Sequence, residues 1–177
     1  MGKILFHEEQ RYNQWWLWLI LIITLLSVVI PFSYGIYSQV VLGKPFGDKP
    51  TSTEGLIVTG IFTALLMLFI LFIVAKMRLK TKITADGIFY CYPPLIRKWK
   101  RISPVEIETY EIRTFRAIHE FNGYGIKKRR KYGTAYIIAG NTGLQIYLKN
   151  GKKILIGTQK KQAIGYAMGK MMEQESR

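Results

Sequence analysis

One cysteine and two histidines are all that 177 residues contain of those types, and aspartate occurs only at positions 48 and 86. A lone Cys91 excludes a disulfide within the chain, as suits a reducing compartment. His7 and His119 are far apart in sequence, so no cluster with zinc-site spacing is present. Asp48 falls in a short loop and Asp86 in a turn. No H-E-x-x-H, phosphate-loop, G-x-S-x-G or paired-cysteine motif occurs. These absences leave no catalytic residue, metal site or cofactor to nominate, and they argue against an enzyme. Acidic residues are also scarce, 11 against 26 Lys plus Arg, for a net charge of +15.

Charge is missing altogether from two runs. Trp15 to Tyr37 reads WWLWLILIITLLSVVIPFSYGIY, and Gly55 to Ala75 reads GLIVTGIFTALLMLFILFIVA. A hydrocarbon core about 30 Å thick is crossed by about 20 apolar residues at a rise of about 1.5 Å each. Each run therefore predicts a membrane span, with residues 38–54 as an outside loop. The first run exceeds the roughly 7–15 apolar residues of a signal peptide, and no small-x-small site follows it. It is read as a retained span. Lys76, Arg78, Lys80 and Lys82 flank the second span, and Lys3 and Arg11 precede the first. Lys44 and Lys49 in the loop are balanced by Asp48 and Glu54. Basic residues mark the cytoplasmic side, so both termini are expected there. Trp15, Trp16 and Trp18 suit an inner aromatic belt, and Tyr34 and Tyr37 an outer one.

Residues 1–80 thus read as a transmembrane hairpin and 81–177 as a cytoplasmic domain. Up to Ala75 four basic residues balance four acidic ones, so the whole excess charge belongs to the later part of the chain. A domain this basic is drawn to an anionic inner leaflet, each Lys or Arg contributing about 1 kcal/mol near the surface.

The pattern of that domain is mostly strand. Lys82 to Ala85 and Ile88 to Tyr92 flank an Asp86-Gly87 turn, and Pro93-Pro94 ends the second strand. Leu95–Ile102 predicts a strand with one wet face, 103–106 a single turn, and Ile107–Phe115 another strand. Tyr136–Ala139, Leu144–Leu148 and Lys153–Ile156 complete the set, the last two joined by Asn150-Gly151. After Thr158, a candidate cap, Ala163, Ile164, Ala167, Met168, Met171 and Met172 recur at helical spacing as a core-facing stripe. The expected class is α+β: two apolar helices, then six or seven mostly antiparallel strands in a barrel or sandwich, closed by a C-terminal helix.

The stretches NGYGIKK at 122–128, AYIIAGNTGLQIYL at 135–148 and KKILIGTQ at 152–159 carry a resemblance. Over roughly residues 82–165 the chain resembles uncharacterised bacterial two-span membrane proteins with a cytoplasmic pleckstrin-homology (PH)-like domain. Asn122 stands where their pattern has glycine, and Lys127 where it has arginine. The resemblance implies a PH-like fold and a bacterial inner-membrane address, without an activity.

Gly123 and Gly125 flank Tyr124, and Lys127, Lys128, Arg129, Arg130 and Lys131 follow without interruption. Amides of a glycine-bearing loop beside clustered cations can grip a phosphate. Tyr124 and these five cations are the candidate contact surface, the competing reading being a solvated loop. Lys98, Trp99, Lys100 and Arg101 form a secondary patch. The partners this points to are the bilayer, its anionic phospholipid, another membrane protein, or a second copy through the spans. Gly60 and Ala64 are a small-xxx-small pair, read first as packing the two spans of one chain. The expectation is an anchored, non-enzymatic interaction or scaffolding module. A tethered nucleic-acid binder or an unrecognised membrane enzyme are the alternatives, the first disfavoured by the membrane tether.

Overall fold

The computed structural model describes residues 3–47 and 51–175. Asp48 and Lys49, which enter the charge count of the loop, lie outside the described residues. Among the described residues, nine strands and four α-helices follow in chain order: β1 (Ile4–Arg11), α1 (Trp15–Val40), α2 (Thr53–Lys76), β2 (Arg78–Thr84), β3 (Gly87–Tyr92), β4 (Ile96–Ile102), β5 (Ile107–Thr114), α3 (Ala117–Phe121), β6 (Gly125–Arg129), β7 (Gly133–Ile137), β8 (Thr142–Leu148), β9 (Lys153–Gly157) and α4 (Lys161–Glu175). The chain divides into two compact units. Asn13–Ala75 is one, and the segment up to Tyr12 joins Lys76 onward in the other.

In the helical unit, α1 and α2 run for 26 and 24 residues with mean hydropathies of 2.4 and 2.9, long and apolar enough to cross a membrane. Only 6% of the most apolar window of either helix is buried, unlike the core helix of a soluble protein. The hydroxyls of Thr24, Thr59 and Thr63 donate to carbonyls four residues back, which satisfies them without water. A Cβ on Gly60 would lie 3.0 Å from the Phe32 ring, so this glycine lets the helices of one chain pack closely.

The second unit is α+β, with sheets ordered β1-β2-β3-β4 and β5-β8-β9-β7-β6 and no closed barrel. All neighbours are antiparallel except β7 and β9. The strand count exceeds the expected six or seven for two reasons. The supposed loop at 123–132 contains β6, and β1 joins the sheet from ahead of the first apolar run. The 1–80 boundary is displaced accordingly.

β1 is held by polar groups. Its inward positions after Phe6 are Glu8 and Gln10, 5% and 3% exposed. The Glu8 carboxylate accepts hydrogen bonds from Thr158 Oγ1 at 2.6 Å and from the Gln159 amide at 2.9 Å. Gln10 Nε2 donates to the Gly157 carbonyl at 2.7 Å. Thr158 therefore ties β9 to β1 instead of capping the first turn of α4; its hydroxyl also accepts from the Lys160 amide. Ile164, Ala167, Met168 and Met171 of α4 are fully buried, in agreement with the stripe, whereas Ala163 is exposed. Each large side chain among them contributes about 1.5–3 kcal/mol.

The short helix α3 ends at Asn122, whose φ of 60° is left-handed. The amides of Asn122 and Gly123 bond the carbonyls of Ile118 and Ala117, and the chain turns directly into β6.

Candidate anion-binding site

β6 and β7 pair with Lys128 opposite Thr134 and Arg129 opposite Gly133, leaving 130–132 as the turn. β7 then runs parallel to β9, Thr134 beside Ile154 and Tyr136 beside Ile156. That pairing carries the Asn150-Gly151 turn and the lysines after it to the same end of the sheet. The turn is well made: Asn150 Oδ1 accepts the Lys152 amide at 3.1 Å, and Gly151 takes a φ of 76°. From the other sheet, β3 and β4 bring Tyr90 opposite Lys100. The rings of Tyr90 and Tyr136 meet with centroids 4.8 Å apart, and Lys100 Nζ donates to Tyr136 Oη at 3.3 Å.

The result is a cavity of about 500 Å³ between the sheets. Six cationic residues line it: Lys100, Lys128, Arg129, Arg130 and Lys152, and also Lys153, whose ammonium lies instead over the Tyr147 ring in a neighbouring cavity. Tyr90 and Tyr136, each 4% exposed, line its inner part. Burial, reinforced by the charge and hydrogen bond of Tyr136, pushes the Tyr90 phenol well above its ordinary range, so it stays a neutral group able to donate. No carboxylate lines the cavity, and among the described residues none of the six cations is ion-paired. The cations that follow the second long helix behave differently. Glu9 pairs with Arg78 at 3.0 Å and Lys80 at 3.3 Å, besides Arg11 at 2.9 Å. Burial pushes the Glu9 carboxyl up, but hydrogen bonds and charge from Arg11 and Lys80 outweigh it and hold the group below its ordinary value.

Of the residues expected from sequence, the cavity gathers Lys128, Arg129, Arg130 and Lys100. It does not gather the others. Tyr124 sits in the bend before β6. Lys127 is opposite Ala135, whose side chain lies in the small cluster with Phe121; strand alternation puts it on the other face from Lys128. Lys131 lines a separate cavity of about 320 Å³ with Glu111, Arg113, Tyr132, Tyr147 and Lys153. Lys98 and Trp99 line neither cavity. Arg101 points elsewhere too, its guanidinium donating to the Asp86 carbonyl at 2.8 and 3.1 Å. Sequence reasoning missed Lys152, Lys153, Tyr90 and Tyr136. The lysines were visible as charge beside a strong turn, but only the parallel β7–β9 pair joins them to Lys128.

Among the described residues no group of three or more His, Cys, Asp or Glu is placed to hold a metal ion. The chain matches no family model and no curated protein.

Proposed function

We propose that this chain is a membrane-anchored, non-enzymatic interaction module whose basic PH-like domain contacts anionic lipid headgroups. In this reading α1 and α2 cross the bacterial inner membrane as a hairpin and both termini lie in the cytoplasm. The observation that carries it is the cavity to which five cations, Lys100, Lys128, Arg129, Arg130 and Lys152, and no carboxylate contribute. Such a cluster is held together against its own repulsion, and an anion relieves that repulsion. The pairing of β1 with β2 supports the hairpin: the strand before the first long helix and the strand after the second are neighbours in one sheet, so both belong on one side of a bilayer. The excess of Lys and Arg in those flanks supports the cytoplasm as that side.

A direct test compares the wild type with Lys128→Glu/Arg129→Glu/Arg130→Glu, both extracted in mild detergent. The anionic share of the copurified phospholipid falls in the variant if the site faces the inner leaflet, since each basic residue there contributes about 1 kcal/mol. Loss of a copurifying membrane protein with unchanged lipid would replace the lipid by a protein partner. If neither lipid nor protein changes, the reading fails.

A further inference from the structure

We propose that this cavity binds a compact group carrying two phosphates, either a lipid headgroup or a free diphosphate. The inference rests on the anion-contact reading and narrows it from a charged surface to a site of defined stoichiometry.

Three separate segments supply the cations. Lys100 comes from β4 in one sheet, Lys128 to Arg130 from β6 and its turn, and Lys152 from the β8–β9 connection. A solvated charge run has no reason to meet cations from two other parts of the chain. The number of charges sets the size of the anion. A phosphodiester brings one negative charge and a phosphomonoester about 1.5 to 2. Either alone leaves most of the five cations uncompensated, whereas two phosphates bring about two to four negative charges and offset the larger part of them. Volume agrees, because about 500 Å³ falls in the range of small-molecule sites and far exceeds the room one phosphate needs.

The lining is also differentiated. Arg129 and Arg130 offer planar forks for bidentate contact with phosphate oxygens, and Lys100, Lys128 and Lys152 act as movable point charges. Behind them the buried Tyr90 and Tyr136 pair gives a rigid wall, with Tyr136 fixed by Lys100. Gly133 and Gly151 carry no side chain at the rim, where backbone lines the cavity instead.

The test uses the full chain in phosphatidylcholine nanodiscs, titrated calorimetrically at constant ionic strength. Pyrophosphate is expected to bind one to one, about tenfold or more tighter than orthophosphate, the factor one further charge-assisted hydrogen bond supplies. Lys128→Gln/Lys152→Gln removes that preference. Arg97→Gln/Lys98→Gln removes the same charge from β4 outside the cavity and leaves it intact. All four positions are exposed, and a thermal midpoint checks that each variant folds.

Two further discs, matched in charge, separate the sources. If a lipid supplies the phosphates, diphosphatidylglycerol suppresses the pyrophosphate titration and phosphatidylglycerol does not. If a free compound supplies them, pyrophosphate binds alike in both. Orthophosphate binding as tightly as pyrophosphate, or equal losses in the two variants, overturns the two-phosphate site. Should that happen while the charge reversal at Lys128–Arg130 still lowers the anionic lipid share, surface contact survives and only this inference falls. No effect in either experiment removes both.

Discussion

Gly133→Ala is expected to destabilise the basic domain by about 3–5 kcal/mol. Gly133 has a φ of 87°, where an L residue is strained by about 1–3 kcal/mol. A Cβ there would overlap the Lys153 carbonyl, which belongs to backbone and cannot swing aside. Relief requires parting β7 from β9 at the start of their parallel pair, next to Thr134 and Ile154. The same movement displaces Lys152 and Arg129 from the cavity, so stability and anion affinity fall together. Thermal unfolding of the full chain, with a drop of about 10–15 °C in the midpoint, is the check. An alanine variant with unchanged midpoint would mean that β7 and β9 do not pair as described.

The second large effect belongs to Glu8. Replacing it by alanine leaves the Thr158 hydroxyl and the Gln159 amide without their acceptor in a buried corner, at a cost of about 3 kcal/mol. Glutamine is milder, about 1 kcal/mol, because its Oε1 can take the Gln159 amide while its Nε2 donates to Thr158 Oγ1. The two variants therefore separate lost hydrogen bonding from lost charge. Hydrogen exchange locates the damage: amides of β1 should lose protection in Glu8→Ala ahead of those in β8 and β9. Equal destabilisation by alanine and glutamine would contradict the hydrogen-bond account.

Glu8 also shows why β1 was illegible. Period-two alternation signals a strand when inward positions are apolar, and here two of the three are Glu8 and Gln10. Their partners, Gly157, Thr158 and Gln159, are distant in sequence, so no local pattern reveals that these polar groups are satisfied. β6 was hidden differently. Its Ile126 stands among glycines and cations, which read as loop, and its pairing with β7 supplies the order that the side chains do not advertise. The stop of α3 was present in Asn122-Gly123, but five residues are too few for helical periodicity to appear. Local signals succeeded where one face is apolar: β2 with β3, β8 with β9, and the buried stripe of α4. The site followed the same division. Lys128 to Arg130 announced themselves as a run, whereas Lys152 and Lys153 became part of it only through a non-local parallel pair.

Membrane topology is the measurement that tests the central claim most directly, because a two-span anchor with both flanks in one cytoplasmic domain underlies the rest. Single cysteines at Lys44, His7 and Lys149, all exposed, are labelled in spheroplasts with a membrane-impermeant maleimide. Native Cys91 stays silent as an internal control. It is 3% exposed, and burial outweighs the opposing charge of Lys80 to push its thiol up, so little reactive thiolate forms at neutral pH. The account predicts labelling of Lys44→Cys from outside, and of His7→Cys and Lys149→Cys only after permeabilisation. Labelling of His7→Cys and Lys149→Cys from opposite sides would break the β1–β2 sheet, and labelling of all three from one side would mean that the helices do not cross.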